Sequence, residues 1–236
     1  MNLDKLLKRN TEMKKFNLIR FIIIDKLNKF KKDPFNYLKG GFRDNLYIYY
    51  LRFLSKIQDF VRGVDTEEII ELPSLGIEPS FGSRYETTSY NTLKLLLKFA
   101  RKKGFISIVD IGCGYGRPLI VAKEVGFLNF YGVDISEKLI NRCNSNLQKL
   151  KIKAQLTCCD AVDYKIPKMD LVIFLFNPVN EERVGSIVRE LLARKEKYLI
   201  IYQNPKYINC FPSSPIYIHL NRHFGLYREL AYIYEV

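Results

Sequence analysis

Two stretches near the N-terminus repeat apolar residues at helical spacing. In the first, Phe16, Ile19, Ile22, Ile23, Leu27 and Phe30 fall on one face with lysines between them; the second runs from Asn45 to Val61. Both patterns predict amphipathic helices. From Gly63 to Gly82 the rhythm breaks, and Pro73, Gly76, Pro79 and Gly82 predict a loop-rich connector. A further helix is expected beyond it, capped by Thr88 or Ser89. Its buried face is Leu93, Leu96, Leu97 and Ala100, and Lys102-Lys103-Gly104 stops it.

After Gly104 the pattern alternates. Short β-branched runs at Phe105–Ile111, Asn129–Ile135, Ala154–Cys159, Leu171–Phe176 and Tyr198–Tyr202 predict strands. Helical patterns separate several of them: Arg117–Val125, a helix capped by Ser136 that carries Leu139, Ile140, Cys143, Leu147 and Leu150, and Glu181–Ala193. Alternation at this spacing predicts a mostly parallel sheet covered on both faces, an α/β doubly wound fold. Two last runs, Ile216–Leu220 and Glu229–Tyr234, joined through His223-Phe-Gly225, suit an antiparallel pair at the end of a seven-stranded sheet. The expected organisation is a basic helical extension and connector over residues 1–82 and a catalytic domain over 83–236.

Charge sharpens the division. The chain of 236 residues carries a net +13, and residues 1–62 hold 15 Lys+Arg against 6 Asp+Glu, a net of +9 that leaves +4 for the rest. Such a segment attracts nucleic acid, anionic lipid or an acidic substrate; equally, it is the solvated face of ordinary helices. Its charges alternate with core-type apolar residues, so a helical lid or acceptor platform is expected in preference to a nucleic-acid arm. Peripheral membrane contact stays open. The longest apolar run there, Phe21 to Ile24, is far too short for a signal peptide or a spanning helix. The five cysteines, Cys113, Cys143, Cys158, Cys159 and Cys210, are odd in number and lack C-x-x-C spacing. No disulfide framework or metal site is therefore expected, and a reducing cytoplasm fits.

The strongest local signal is Val109-Asp110-Ile111-Gly112-Cys113-Gly114-Tyr115-Gly116-Arg117, placed where the first catalytic strand turns into a helix. Glycines at alternate positions let the backbone bend sharply and let a ligand lie against it. A dinucleotide fingerprint needs G-x-G-x-x-G, whereas this turn reads G-x-G-x-G after an acid. An acid there suits a cationic ligand and does not suit a pyrophosphate.

The turn D-I-G-C-G-Y-G resembles the first motif of class I S-adenosylmethionine-dependent methyltransferases, and three further motifs follow in that family's order. Tyr131-Gly-Val-Asp134 ends the second strand with a carboxylate, Cys159-Asp160-Ala161 ends the third, and Met169 to Pro178 is similar to the fourth-strand motif. The resemblance covers roughly Phe105 to Pro205. It implies S-adenosylmethionine as cofactor, with Asp110, Gly112, Cys113, Gly114 and Gly116 around its methionine end, Asp134 and Ile135 at its ribose, and Asp160 and Ala161 along its adenine edge. A narrower likeness rests on Gly63-Val-Asp-Thr66, Tyr85-Glu-Thr-Thr88, Gly116-Arg117 and Phe176-Asn-Pro178. These are similar to a group of small bacterial methyltransferases associated with surface glycans, which places Tyr85 and Thr87 over the methionine end.

The acceptor is less constrained. Asn177-Pro178 is similar to the N-P-P-aromatic motif of enzymes that methylate planar amines, so Asn177 is the candidate catalytic residue; Val179 and Asn180 stand where the stacking ring belongs. The leading expectation is methylation of a hydroxyl on a glycan or small molecule. A nucleic-acid or protein N-methyltransferase is the alternative, and a non-catalytic cofactor-binding module the third. His219 and His223, the chain's two histidines, both sit in the C-terminal strand region and are expected to be structural.

Overall fold

The computed structural model describes residues 42–82, 84–176, 179–223 and 227–235, with side chains in 42–48 and 218–229 outside the description. The expected helix at 16–30 and the candidate residue Asn177 fall outside the described residues. By compactness the chain divides between Phe53 and Leu54. The described part of the first unit is the start of helix α1 (Phe42–Arg62). The second unit begins within that helix, so the connector up to Gly82 falls in the same compact unit as the sheet.

In the second unit, helix α2 (Tyr90–Lys102) starts at Ser89, whose side chain accepts from Thr92 N. Five parallel strands follow: β1 (Ser107–Ile111), β2 (Asn129–Asp134), β3 (Gln155–Cys158), β4 (Leu171–Leu175) and β5 (Tyr198–Gln203). Helices α3 (Arg117–Glu124), α4 (Glu137–Lys149) and α5 (Glu181–Leu192) connect them. The antiparallel strands β6 (Tyr217–His223) and β7 (Tyr227–Glu235) complete the sheet, whose order is β3-β2-β1-β4-β5-β7-β6. The chain thus passes beyond β7's position before returning to pair with β5.

Strands β1, β4 and β5 are buried at every position, as parallel strands covered on both faces must be. Their side chains alternate between two cores. One holds Ile108, Phe174 and Ile201 against α2, α3 and α4; the other holds Val109, Ile173 and Ile200 against α5. Strand order reverses between β1 and β4. In a doubly wound sheet, the crevice outside the carboxyl ends of the strands at that reversal is where ligands bind.

Candidate active site

Three glycines shape the turn after β1. Gly112, Gly114 and Gly116 all have positive φ, at 77°, 51° and 85°, a region other residues enter only with strain. The first two residues of the turn are tied to β2, Gly112 N and Cys113 N both donating to Val133 O at 2.8 and 2.9 Å. A Cβ on Gly114 would stand 2.2 Å from Tyr85 Cε2, and one on Gly116 would stand 2.6 Å from Cys143 Sγ. Both glycines are therefore required by close approach as well as by conformation.

An open cleft lies at this end of the sheet. Gly112, Asp134, Ile135, Asp160 and Ala161 line it from the sheet side; Leu72, Ile77, Phe81, Arg84 and Tyr85 face them from the connector. Phe176, Val179 and Arg183 complete it beyond β4. The connector is thus a strap across the cleft, stapled to itself where Ile70 and Tyr85 exchange backbone hydrogen bonds.

Asp134 accepts from Gly114 N at 2.9 Å and from Ser136 N at 3.0 Å. Burial raises its pKa, against the pull of these backbone donors. Asp110 lies behind the cleft wall, 2% exposed, and its Oδ2 has no hydrogen-bond partner among the described residues. Burial, reinforced by the Asp134 charge, pushes its pKa well above the ordinary 3.8. Asp160 is the reverse: Arg183 grips it with Nε and Nη2 at 2.9 and 2.8 Å and holds its pKa below the ordinary range.

Of the remaining expected site residues, Cys113 and Thr87 stand back from the cleft and Tyr85 lines it. Cys113 packs beside Cys143, whose hydrogen bond, together with burial, raises the Cys113 thiol's pKa. Thr87 donates its hydroxyl to Glu67 Oε2 at 3.3 Å and does not line the cleft. Tyr85 lines the cleft with its ring while its hydroxyl donates to Thr66 O at 2.8 Å.

Sequence reasoning missed what anchors the strap. Arg117, the first residue of α3, is 1% exposed and sits in a polar cage. It donates to Thr66 Oγ1 at 2.7 Å, Glu67 Oε2 at 2.9 Å, Thr88 O at 3.1 Å and Ser55 Oγ at 3.3 Å. Asp59 binds the same segment, accepting from Thr66 N at 2.6 Å, Glu67 N at 2.9 Å and the Tyr90 hydroxyl at 2.6 Å. An arginine following a glycine turn gives no sign in sequence that it will be buried. Asp59 and Glu67, inside stretches read as an amphipathic helix and a connector, are equally silent.

Comparison with known families supports the reading of this turn. A sequence profile described as a methyltransferase domain matches residues 108–194. Over those residues the chain is similar to methyltransferase domains. It also resembles the ribosomal protein L11 methyltransferase of Aquifex aeolicus, 28% identical over 116 residues, which are 47% of this chain and 46% of that protein. The corresponding protein of Thermosipho melanesiensis is 28% identical over 126 residues, 51% of this chain and 48% of its own length. The chain therefore spans about half the length of the relatives it matches. Among solved structures, magnesium protoporphyrin IX methyltransferase from Synechocystis with bound S-adenosylmethionine is 14% identical with a TM-score of 0.48, over 61% of this chain and 78% of that one. Among the described residues no helix is long and apolar enough to cross a membrane.

Proposed function

We propose that this chain is an S-adenosylmethionine-dependent methyltransferase whose acceptor is an amino group on a protein. The observation that carries the first half is the meeting of the glycine turn, Asp134 and Asp160 in one cleft at the strand reversal. The residues present fit the cofactor. The unpartnered Oδ2 of Asp110 lies beneath the turn, where the resemblance puts the cationic methionine end, and Gly114 is pressed so closely by Tyr85 that a Cβ would fill the cradle. Bound there, S-adenosylmethionine supplies a methyl group on a sulfonium.

The rest is work for the chain's own residues. Asp134 has lone pairs left to accept the ribose hydroxyls after taking two backbone donors. Tyr85 and the strap cover the cleft and restrict water. Holding an acceptor nucleophile in line with the methyl removes about 7–11 kcal/mol of barrier at best, so positioning supplies most of what the reaction needs. An acceptor amine aligned there would take the methyl group that the cofactor supplies, and its surplus proton would leave for solvent.

Two observations support an amine over the hydroxyl expected from the narrower resemblance. A hydroxyl gains about 10²- to 10⁴-fold from a general base. Yet each described carboxylate that lines the cleft already has partners: Asp134 two amides, Asp160 Arg183, and Glu86 Arg84 at 3.3 Å. The relatives' own designation, methylation of a ribosomal protein, points the same way. The test is transfer of tritiated methyl to extracted ribosomal proteins and, separately, to surface glycans. Label recovered in N-methylated amino acids after acid hydrolysis is the expected result, and label confined to O-methyl sugars would overturn the acceptor reading.

A further inference from the structure

The carboxylate at the end of β3 is not alone. Arg183, in the first turn of α5, approaches Asp160 side-on: Nε lies 3.1 Å from Oδ1 and 2.9 Å from Oδ2, and Nη2 lies 2.8 Å from Oδ2. Val162 N adds a third donor at 3.3 Å to Oδ1. The carboxylate nevertheless lines the cleft, so these donors fix the orientation in which it faces a ligand. The other side of the same guanidinium covers the ring of Phe81, 4.6 Å from its centroid. Phe81 belongs to the strap, in a short 3-10 turn, Pro79–Phe81. The turn is also tied to α5 where Asn180 Nδ2, on the α5 cap residue, donates to Ser80 O at 3.4 Å. All three side chains, Asp160, Arg183 and Phe81, line the cleft.

We propose that Arg183 is a positioning residue for nucleobase recognition: it aims the cleft-facing edge of the Asp160 carboxylate at the exocyclic amine of adenine, and through Phe81 it latches the strap over the occupied site. The inference rests on the cofactor reading above. Its chemistry is one of hydrogen-bond polarity. A fixed carboxylate accepts from a 6-amino group and repels a 6-oxo group, so the cleft discriminates adenine from hypoxanthine. Freed from Arg183, the same carboxylate turns toward water and the preference fades. Lysine cannot replace the arginine fully, because it presents a point charge instead of a two-pronged donor.

The experiment is calorimetry on the full chain with S-adenosylhomocysteine and S-inosylhomocysteine, with ligand dissociation followed by stopped flow. Native protein is expected to prefer the adenosyl ligand by at least about tenfold, the order of one charge-assisted hydrogen bond. Arg183→Gln should bring that preference below about threefold while circular dichroism stays native, and Arg183→Lys should fall between. Phe81→Ala should keep the preference and hasten dissociation, a split that general loosening of the fold would not produce. Native-like discrimination in folded R183Q, or in R183K should R183Q not fold, overturns the inference alone. Failure of the native chain to bind either ligand overturns the cofactor reading and the inference together.

Discussion

Tyr85 closes on Gly114 more tightly than any other residue type at position 114 permits: an added Cβ would lie 2.2 Å from Cε2 of the ring and 2.6 Å from Cδ2. The ring is itself held in place. Its hydroxyl donates to Thr66 O, and Tyr115 packs against it with centroids 4.6 Å apart. The strap and the glycine turn therefore shape one wall of the cleft between them.

Gly114→Ala tests this wall. The new methyl meets a ring that cannot move away and imposes a side chain on a positive φ, costs of about 1–3 kcal/mol each. We expect S-adenosylhomocysteine affinity to fall more than about tenfold and the melting temperature to drop. Gly114→Ala paired with Tyr85→Ala should recover part of the affinity, because the clash is gone and only the φ cost remains. Calorimetry on the single and double variants reads the difference.

Arg117 is the other end of the same device. One guanidinium faces two carboxylates, Glu67 at 2.9 Å and Asp59 at 3.7 Å, all three buried. Removing the cation leaves buried carboxylates uncompensated, which costs about 3–5 kcal/mol. Arg117→Ala is expected to lose stability on that scale in urea unfolding. Arg117→Lys should not restore it, since the guanidinium's several donors serve Thr66, Glu67, Ser55 and Thr88 at once. A urea midpoint for Arg117→Lys equal to the native one would contradict the cage.

Much of this was legible in the sequence, and the reasons differ by element. Strands β1, β4 and β5 announce themselves because burial on both faces makes them continuous apolar runs, and Ser89 and Ser136 mark helix starts because their side chains satisfy orphan amides. The placement of β7 between β5 and β6 was not legible, since two hairpin strands pair with each other equally well in either order against the sheet. The connector's place in the compact unit of the sheet was not legible for a related reason. Leu54–Gly82 reads as a helix end and a loop, and what makes it part of the sheet unit is pairing at a distance, Asp59 with Thr66 and Tyr90, and Arg117 with Glu67. Periodicity records which face of a segment is apolar, and it does not record ion pairs fifty residues apart.

Asp110 governs a pH dependence. Its folded pKa lies above the unfolded value, so between the two the native state binds more protons than the unfolded one. Stability contributed by this group is therefore present at low pH and declines as pH rises from about 3.8 through the raised folded pKa. Asp110→Asn should flatten that part of the stability curve in urea titrations at a series of pH values. A cationic ligand beside the carboxylate draws the folded pKa back down. S-adenosylmethionine affinity in the native chain should accordingly rise with pH across the same window, and this rise should vanish in Asp110→Asn.

Asp134→Ala probes the ribose end. The carboxylate also holds Gly114 N and Ser136 N, so its loss frees two buried amides in addition to any ligand contact. Charge-assisted hydrogen bonds of about 1.5–3 kcal/mol predict at least a tenfold loss of S-adenosylhomocysteine affinity. Asp134→Asn separates the two roles. Its single carbonyl oxygen can serve only part of this set, so the isostere should fold better than the alanine variant and still bind the ligand weakly. An unchanged dissociation constant in folded Asp134→Asn would make the residue structural.

The basic extension is tested by where it is cut. Residues 1–62 carry the excess of +9, yet Asp59 within them is the partner of Thr66, Glu67 and Tyr90. Deleting residues 1–62 should therefore unfold the strap and abolish S-adenosylhomocysteine binding, whatever the extension does for the acceptor. Deleting 1–53, the division between the compact units, removes most of the charge and leaves the Asp59 cage whole. We expect that shorter protein to bind S-adenosylhomocysteine like the full chain and to lose methyl transfer to protein acceptors, the behaviour of an acceptor platform. Binding to duplex and single-stranded nucleic acid, measured by filter retention at two salt concentrations, decides between this role and an electrostatic arm. An arm releases counterions and weakens steeply with salt. Sub-micromolar binding of the full chain at physiological salt, lost in the 1–53 deletion, would replace the platform with a nucleic-acid arm.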